Sequence, residues 1–236
     1  MIFRKRVNNL FPRAQVSKKP KFDVDDAYAI KTPADSVRLY GEWADTYDAG
    51  FVEREGYVVF LRVAEIFLRQ RSRINGAVLD VGCGTGIVGA KLREGGINLI
   101  DGIDISPPML IEAGKKRSKN DVPVYRNLIT ADLTKTLDMP DSQYAGLISA
   151  GTFTHGHLGP DSLDELWRVA APGAHCAISV RSTHFESAHF GEKLSIDVDK
   201  GTITKPDLIE VNLYSAETRN LEHANDTALI VVCQVV

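Results

Sequence analysis

The chain has 236 residues, 44% of them hydrophobic and 25% charged, which suits a globular domain with a full core and excludes a disordered or fibrous chain. Its net charge of −3 argues against a general nucleic-acid binder, which needs a basic excess, so no nucleic-acid partner is expected. Cys83, Cys176 and Cys233 are too few and too scattered for a disulfide framework or a zinc site.

No apolar run reaches the ~18–20 residues of a membrane helix, and no uninterrupted apolar leader is visible. A cytoplasmic protein without membrane insertion is expected. At the N-terminus Arg4, Lys5, Arg6, Arg13, Lys18, Lys19 and Lys21 all precede the first acid, Asp23. Residues 1–33 therefore read as a basic, flexible extension, and 34–236 as the domain.

From Asp35, Val37, Tyr40, Trp43, Ala44 and Tyr47 recur at helical spacing and form one aromatic face, which Asp48-Ala49-Gly50 breaks. A second helix is expected over 55–71, with Tyr57, Phe60, Leu61, Ala64, Phe67 and Leu68 on one stripe. Both precede the first strand, so they read as a helical lid. The chain then alternates strand and helix, the mark of a parallel sheet covered on both faces.

Strands are expected at 77–81, 98–103, 122–129, 144–149 and 174–180. Helices are expected at 87–94, closed by Gly95-Gly96, and from Pro107 to about Lys116, with Ser106 as N-cap. A further helix carries Leu163, Leu166, Trp167 and Ala170 and ends at Pro172-Gly173. Residues 181–207 show little periodicity and predict an irregular segment with a short helix or hairpin. The β-rich runs 208–214 and 227–235 are joined too closely for a parallel crossover, so they pair antiparallel. The expected fold is α/β, a Rossmann-like doubly wound seven-stranded sheet, mostly parallel, with an antiparallel C-terminal strand and an N-terminal helical lid.

The stretch 77–92, A-V-L-D-V-G-C-G-T-G-I-V-G-A-K-L, joins the first strand to its helix through Gly82, Gly84 and Gly86. Glycines let such a loop turn sharply and let a ligand lie against its N–H groups. Gly84, Gly86 and Gly89 also satisfy G-x-G-x-x-G, with Asp104 about 20 residues on, which would fit an NAD(P)- or flavin-dependent oxidoreductase. Asp80 opposes that reading, because a carboxylate beside a pyrophosphate is unfavourable. With Asp104 and Asp132 it better suits a ligand that is cationic at one end and carries a ribose and an adenine.

The run L-D-V-G-C-G-T-G resembles motif I of the class I S-adenosylmethionine-dependent methyltransferases. Asp104 with I-S-P-P-M-L-I-E-A, Ala131-Asp132-Leu133 and L-W-R-V-A-A-P-G-A match the family's later positions. With L-Y-x-x-W-A-x-x-Y-D over 39–48, the chain is similar to the small-molecule subgroup typified by the Williams–Beuren syndrome region methyltransferase. The resemblance implies S-adenosyl-L-methionine as cofactor and a small-molecule methyl acceptor. It implies that Gly82, Gly84 and Gly86 pass beneath the methionine and ribose, with Asp80 near the amino group. Asp104 would take the ribose hydroxyls and Asp132 the adenine amine, with Leu133 against the ring. Ile105 and Ser149 complete the cofactor set, and Tyr40 and Tyr47 would close over it.

In-line transfer from a sulfonium needs an aligned acceptor, and a base only where the acceptor must lose a proton. His155 and His157, in the loop after strand four, are the candidate bases, or else loop histidines that shape a pocket. His184, His189 and Arg181 follow strand five and could contact an acceptor, although Arg181 could equally pair with Glu186. Cys83 has no activating neighbour and Cys176 reads as core packing. Ser149-Ala150-Gly151-Thr152 stands where nucleobase-amine methyltransferases carry Asn/Asp-Pro-Pro-Tyr, so a small diffusible acceptor is expected. A cofactor-binding protein without turnover on the same fold is the remaining alternative.

Overall fold

A computed structural model describes residues 22–218 and 221–236. The basic stretch 4–21 lies outside the described residues. Two capping boxes start the described chain. Asp23 accepts from Asp25 N and Asp26 N to open α1 (Val24–Tyr28). Thr32 and Asp35 bond reciprocally at 3.2 and 3.1 Å, with Pro33 in the first turn, to open α2 (Pro33–Trp43). Val24 and Ile30 are buried in the core. Packed structure thus begins before residue 34, and the expected boundary falls inside it.

After α2 the chain tightens into a 3₁₀ turn (Ala44–Thr46) and then a π-helical turn (Asp48–Glu53). The Asp48-Ala49-Gly50 break expected from sequence is therefore a change of winding. Helix α3 (Val59–Leu68) is shorter than expected, because Tyr57 forms a β-bridge with Tyr214 and Val58 N donates to Leu213 O at 2.8 Å. That bridge ties the N-terminal layer to the end of the chain.

The strands β1 (Val78–Val81), β2 (Ile100–Asp104), β3 (Asn127–Thr130), β4 (Tyr144–Phe153), β5 (Ala170–Arg181), β6 (Asp207–Asn212) and β7 (Thr227–Gln234) form one sheet in the order β3-β2-β1-β4-β5-β7-β6. The first five run parallel, and β7 is antiparallel to both β5 and β6. Strand order reverses between β1 and β4, and the crevice at such a switch point is where open α/β sheets take their ligands.

Alternation along the strands separates two cores. Val78, Ile100, Ile148 and Ala177 pack with α3, α4 (Ile87–Glu94) and α5 (Pro107–Lys115). Leu79, Ile103, Leu147 and Ile178 face α6 (Ser162–Val169) on the other side. At ~25 cal/mol per Å² of apolar surface, each such residue withdrawn from water contributes about 1.5–3 kcal/mol.

Two expectations move. Residues 122–126 stay outside β3: Val124 and Tyr125 are buried, but the ladder to β2 starts at Asn127. Residues 181–207 contain two helices, α7 (Ser182–Ser187) and α8 (Phe190–Asp199), with His189 at φ 60° between them. Phe185, Phe190 and Leu194 are buried, and Asp197 anchors this pair by accepting from Trp167 Nε1 at 2.9 Å and Lys193 Nζ at 2.6 Å. Strand five also begins earlier than expected, at Ala170. No helix among the described residues is long and apolar enough to cross a membrane.

Candidate active site

The cleft at the carboxyl ends of β1, β2 and β4 encloses about 960 Å³, counting its open mouth. Its floor is the glycine loop, where Gly82, Gly84 and Gly86 all hold positive φ, at 65°, 52° and 85°. Their surroundings differ. A Cβ on Gly82 would overlap Thr152, and one on Gly86 would press on Tyr125 and Ala113, whereas one on Gly84 would meet nothing within 4 Å. Gly82 and Gly86 are glycines for packing, and Gly84 leaves open space beside the cleft. Gly86 itself is outside the lining.

The carboxylates divide in the same way. Asp104 lines the cleft; its Oδ2 accepts from Gly84 N and its Oδ1 from Ser106 N, both at 2.9 Å. Burial pushes this carboxyl up, and the backbone hydrogen bonds pull it back. Asp132 lines the far end beside Leu133 and Thr134. Its partial burial is outweighed by Thr134, which donates from N at 3.0 Å and Oγ1 at 2.6 Å, so the carboxyl lies below the usual range. Asp80 corrects the expectation. It is fully buried off the cleft, and its Oδ2 accepts from the Tyr125 hydroxyl at 2.6 Å.

Burial, with the Asp104 charge adding and the Tyr125 bond opposing, pushes Asp80 up to about 7. Its Oδ1 has no hydrogen-bond partner. Carboxyls raised by burial favour a ligand that brings positive charge. S-adenosyl-L-methionine fits such a lining, because it carries a positive charge together with ribose hydroxyls and an adenine amine that can donate to carboxylates. Ile105, Tyr40 and Tyr47 also line the cleft. Ser149 does not; its Oγ donates to Val81 O at 2.8 Å inside the sheet.

The two candidate histidines separate at Gly156, which turns with φ 77° and packs against the Ile30 carbonyl so closely that a Cβ would not fit. His157 lines the cleft. Its Nε2 lies 3.0 Å from the Tyr40 hydroxyl and its Nδ1 3.1 Å from the His155 carbonyl. A carbonyl only accepts, so Nδ1 carries the proton and Nε2 accepts from Tyr40. Burial lowers the pKa of His157, against the opposing His155 carbonyl. His155 turns away, with Nε2 3.1 Å from Thr183 Oγ1 and its ring on the edge of His184. It stays outside the cleft lining.

The other candidates have structural partners. His184 is buried with Nε2 2.9 Å from Leu158 O, and His189 is exposed beside Glu192. Arg181 pairs with Asp226 at 2.8 Å, not with Glu186, and its guanidinium lies 3.8 Å over the Tyr28 ring. Cys83 and Cys176 are buried. Among the described residues no group of three His, Cys, Asp or Glu is placed to hold a metal ion.

Sequence reasoning missed Tyr125, which explains the third glycine of the dinucleotide pattern: a Cβ on Gly89 would collide with its hydroxyl. It also missed Asp48, whose Oδ1 accepts from Thr85 Oγ1 at 2.5 Å and Oδ2 from Lys116 Nζ at 2.6 Å. That carboxylate fastens the π-turn of the lid to the glycine loop. Tyr57 was placed on a core stripe, yet it lines the cleft with its hydroxyl against Gly151.

Residues 78–173 match a family model described as a methyltransferase domain. The chain is 25% identical to human methyltransferase-like protein 27 over 181 residues, which span 74% of this chain and 69% of that protein. Among solved structures, the cyclase SpnF is similar with a TM-score of 0.62 at 15% identity, over 87% of this chain and 97% of that one. Geranyl diphosphate methyltransferase, solved with GPP and sinefungin, has a TM-score of 0.55 at 12% identity, over 75% of this chain and 78% of that one. At those identities the structural likeness is one of fold, and the matched residues 78–173 supply the rest. The chain carries a class I S-adenosylmethionine-dependent methyltransferase domain, which makes it a methyltransferase with S-adenosyl-L-methionine as its cofactor.

Proposed function

We propose that this enzyme methylates a small-molecule acceptor by in-line transfer, with His157 as general base acting through Tyr40. One observation carries the reading: a single cleft is lined by the glycine loop, Asp104 and Asp132 on one side and by the hydrogen-bonded Tyr40–His157 pair on the other. When bound, the cofactor supplies an electrophilic methyl carbon on a positively charged sulfur, a good leaving group.

The chain's part is to hold and orient. Asp104 would bind the ribose hydroxyls with the lone pairs that its two backbone bonds leave over. Asp132 would accept from the adenine amine, with Leu133 and Ile105 against the ring. Gly84 gives the methionine end room, and Asp80, one shell back, stabilises its charge across the loop. Tyr40 and Tyr47 cover the site and exclude water.

The proton route follows from the tautomer. Nδ1–H of His157 is committed to the His155 carbonyl, so Nε2 is the basic nitrogen. An acceptor hydroxyl or amine would give its proton to the Tyr40 oxygen as Tyr40 gives its own to Nε2, leaving His157 protonated and Tyr40 neutral. Tyr40 itself resists ionisation, because burial raises its pKa far above the ordinary phenol.

The test is to incubate the purified protein with methyl-labelled cofactor and a broad metabolite extract, and to screen for mass gains of one methylene. Calorimetry with S-adenosylhomocysteine runs alongside. Tight binding without any labelled product would leave a cofactor-binding protein and end the enzymatic proposal.

A further inference from the structure

We infer that a second cavity, adjoining the cofactor cleft, receives the methyl acceptor and selects a planar, mostly apolar compound with a hydrogen-bond-accepting oxygen to meet Thr154 and Arg181. The inference rests on the methyltransferase reading and adds the chemistry of the substrate.

The second cavity encloses about 530 Å³ on the same count, and it shares Tyr40, Tyr47, Tyr57 and Gly151 with the cofactor cleft. The two spaces thus share the side chain at which the proposed proton route begins, Tyr40. Gly151, at φ 80°, is the pinch point: a Cβ there would press on the Tyr57 hydroxyl at 2.6 Å. An acceptor seated in the second cavity therefore reaches the cleft between these rings.

Aromatic rings tile the walls. Phe51 and Tyr57 meet with centroids at 5.2 Å, and Tyr57 and Tyr214 at 5.7 Å, in tilted and edge-on contacts. Such walls offer faces and edges to a flat guest and little to a flexible polar one. The polar part of the lining is different. Thr154 belongs to it with its Oγ1 buried and unpartnered, a costly state that a ligand acceptor atom would relieve. The Tyr214 hydroxyl approaches that of Tyr28 without a well-formed hydrogen bond of its own.

Arg181 faces the same cavity and donates to Asp226 through Nη2, leaving N–H groups on its other nitrogens. All of these groups can donate, so the complementary atom is an oxygen that accepts: a carboxylate, carbonyl or phenolic oxygen.

The aromatic walls raise one competing guest, a quaternary ammonium held by cation–π contacts. Charge decides against it. The cation–π position on Tyr28 is already taken by the Arg181 guanidinium, which is the charged side chain lining the cavity. Asp226, its partner, is outside the lining and is also contacted by His223 at 3.0 Å. A second cation would meet Arg181 across a low-dielectric space with no carboxylate to face it.

The experiment titrates 4-hydroxybenzoate and phenyltrimethylammonium into the full chain loaded with S-adenosylhomocysteine, by calorimetry. The oxygen probe should bind about tenfold or more tightly than the cation. Thr154→Val removes an unpartnered hydroxyl at constant shape, so it should keep the melting temperature and weaken 4-hydroxybenzoate by about fivefold. Arg181→Gln should weaken it further, with cofactor-product affinity unchanged in both variants.

Tighter binding of phenyltrimethylammonium, binding of neither probe, or wild-type affinity in both variants would each overturn the proposal. Failure of the wild type to bind S-adenosylhomocysteine would instead remove the methyltransferase reading beneath it.

Discussion

The Tyr40 hydroxyl donates to Nε2 of His157 at 3.0 Å, joining the lid helix α2 to the loop after β4 across 117 positions of sequence. The two members of the pair sit on separate elements, so any displacement of α2 from the loop would break it.

Replacing His157 with Ala should lower kcat by about 10²-fold while S-adenosylhomocysteine affinity stays within a factor of about two. Tyr40→Phe should share the loss of kcat, because the relay oxygen goes. The pH profile separates these effects from misfolding. His157 titrates below the ordinary histidine value, so wild-type kcat should hold at neutral pH and fall on the acid side, below about 6.5, as Nε2 is protonated. An acid limb that persists unchanged in the His157→Ala variant would rule this residue out as the base.

Asp104→Ala should weaken S-adenosylhomocysteine by at least tenfold, since a charged hydrogen bond is worth about 1.5–3 kcal/mol. The loop should loosen as well, because Gly84 N and Ser106 N lose their acceptor. Calorimetry and amide exchange at Gly84 measure the two effects. Unchanged affinity would show that Asp104 only braces the loop.

Two glycines give opposite outcomes. Gly82→Ala should destabilise the fold by about 1–3 kcal/mol, because its Cβ overlaps Thr152 in a packed interior. A Cβ at Gly84 meets nothing within 4 Å, so Gly84→Val should cost the fold mainly the strain of φ 52°, about 1–2 kcal/mol, yet abolish cofactor binding. Thermal melts with and without S-adenosylhomocysteine read both; a cofactor-stabilised Gly84→Val protein would contradict the assignment.

Asp80 makes the stability of the cofactor-free chain depend on pH. Its carboxyl is raised in the fold from 3.8 to about 7, so the folded state holds a proton that the unfolded chain has released. Its contribution is complete below 3.8 and is lost as pH rises to about 7, beyond which the dependence flattens. Asp80→Asn should remove that slope in denaturant titrations across the window. A cationic ligand should release a proton from the site on binding at pH 6, seen as a buffer-dependent heat.

The parts of the fold written in local sequence were readable from it. Helix α4 opens after Gly86 and ends at Gly95-Gly96, and its expected span of 87–94 matches Ile87–Glu94. Asp104 and Asp132 stand at strand ends fixed by hydrophobic runs, which placed them at the cleft. What depends on tertiary approach was not readable. Asp80 belongs to the glycine motif by spacing, yet Tyr125, 45 residues on, draws its carboxylate inward. His155 and His157 look equivalent in sequence, and only the turn at Gly156 sends one to the cleft and the other to Thr183. Val124 and Tyr125 resemble strand residues because they are apolar, but they are buried beside the sheet without pairing in it.

The bridge between Tyr57 and Tyr214 has an outcome for how this enzyme could change. The proposed donor-binding carboxylates Asp104 and Asp132 lie between β1 and β4, whereas Tyr28, Tyr40 and Tyr57 precede β1, and Arg181, Tyr214 and Asp226 come at or after the end of β5. Much of the proposed guest cavity is thus built from the two ends of the chain, which meet in space around Gly151 and Thr154 from its middle. Exchanging the two ends together should reshape that cavity while keeping Asp104, Asp132 and the glycine loop in place. Exchanging one alone would break the bridge and unmake the room they enclose.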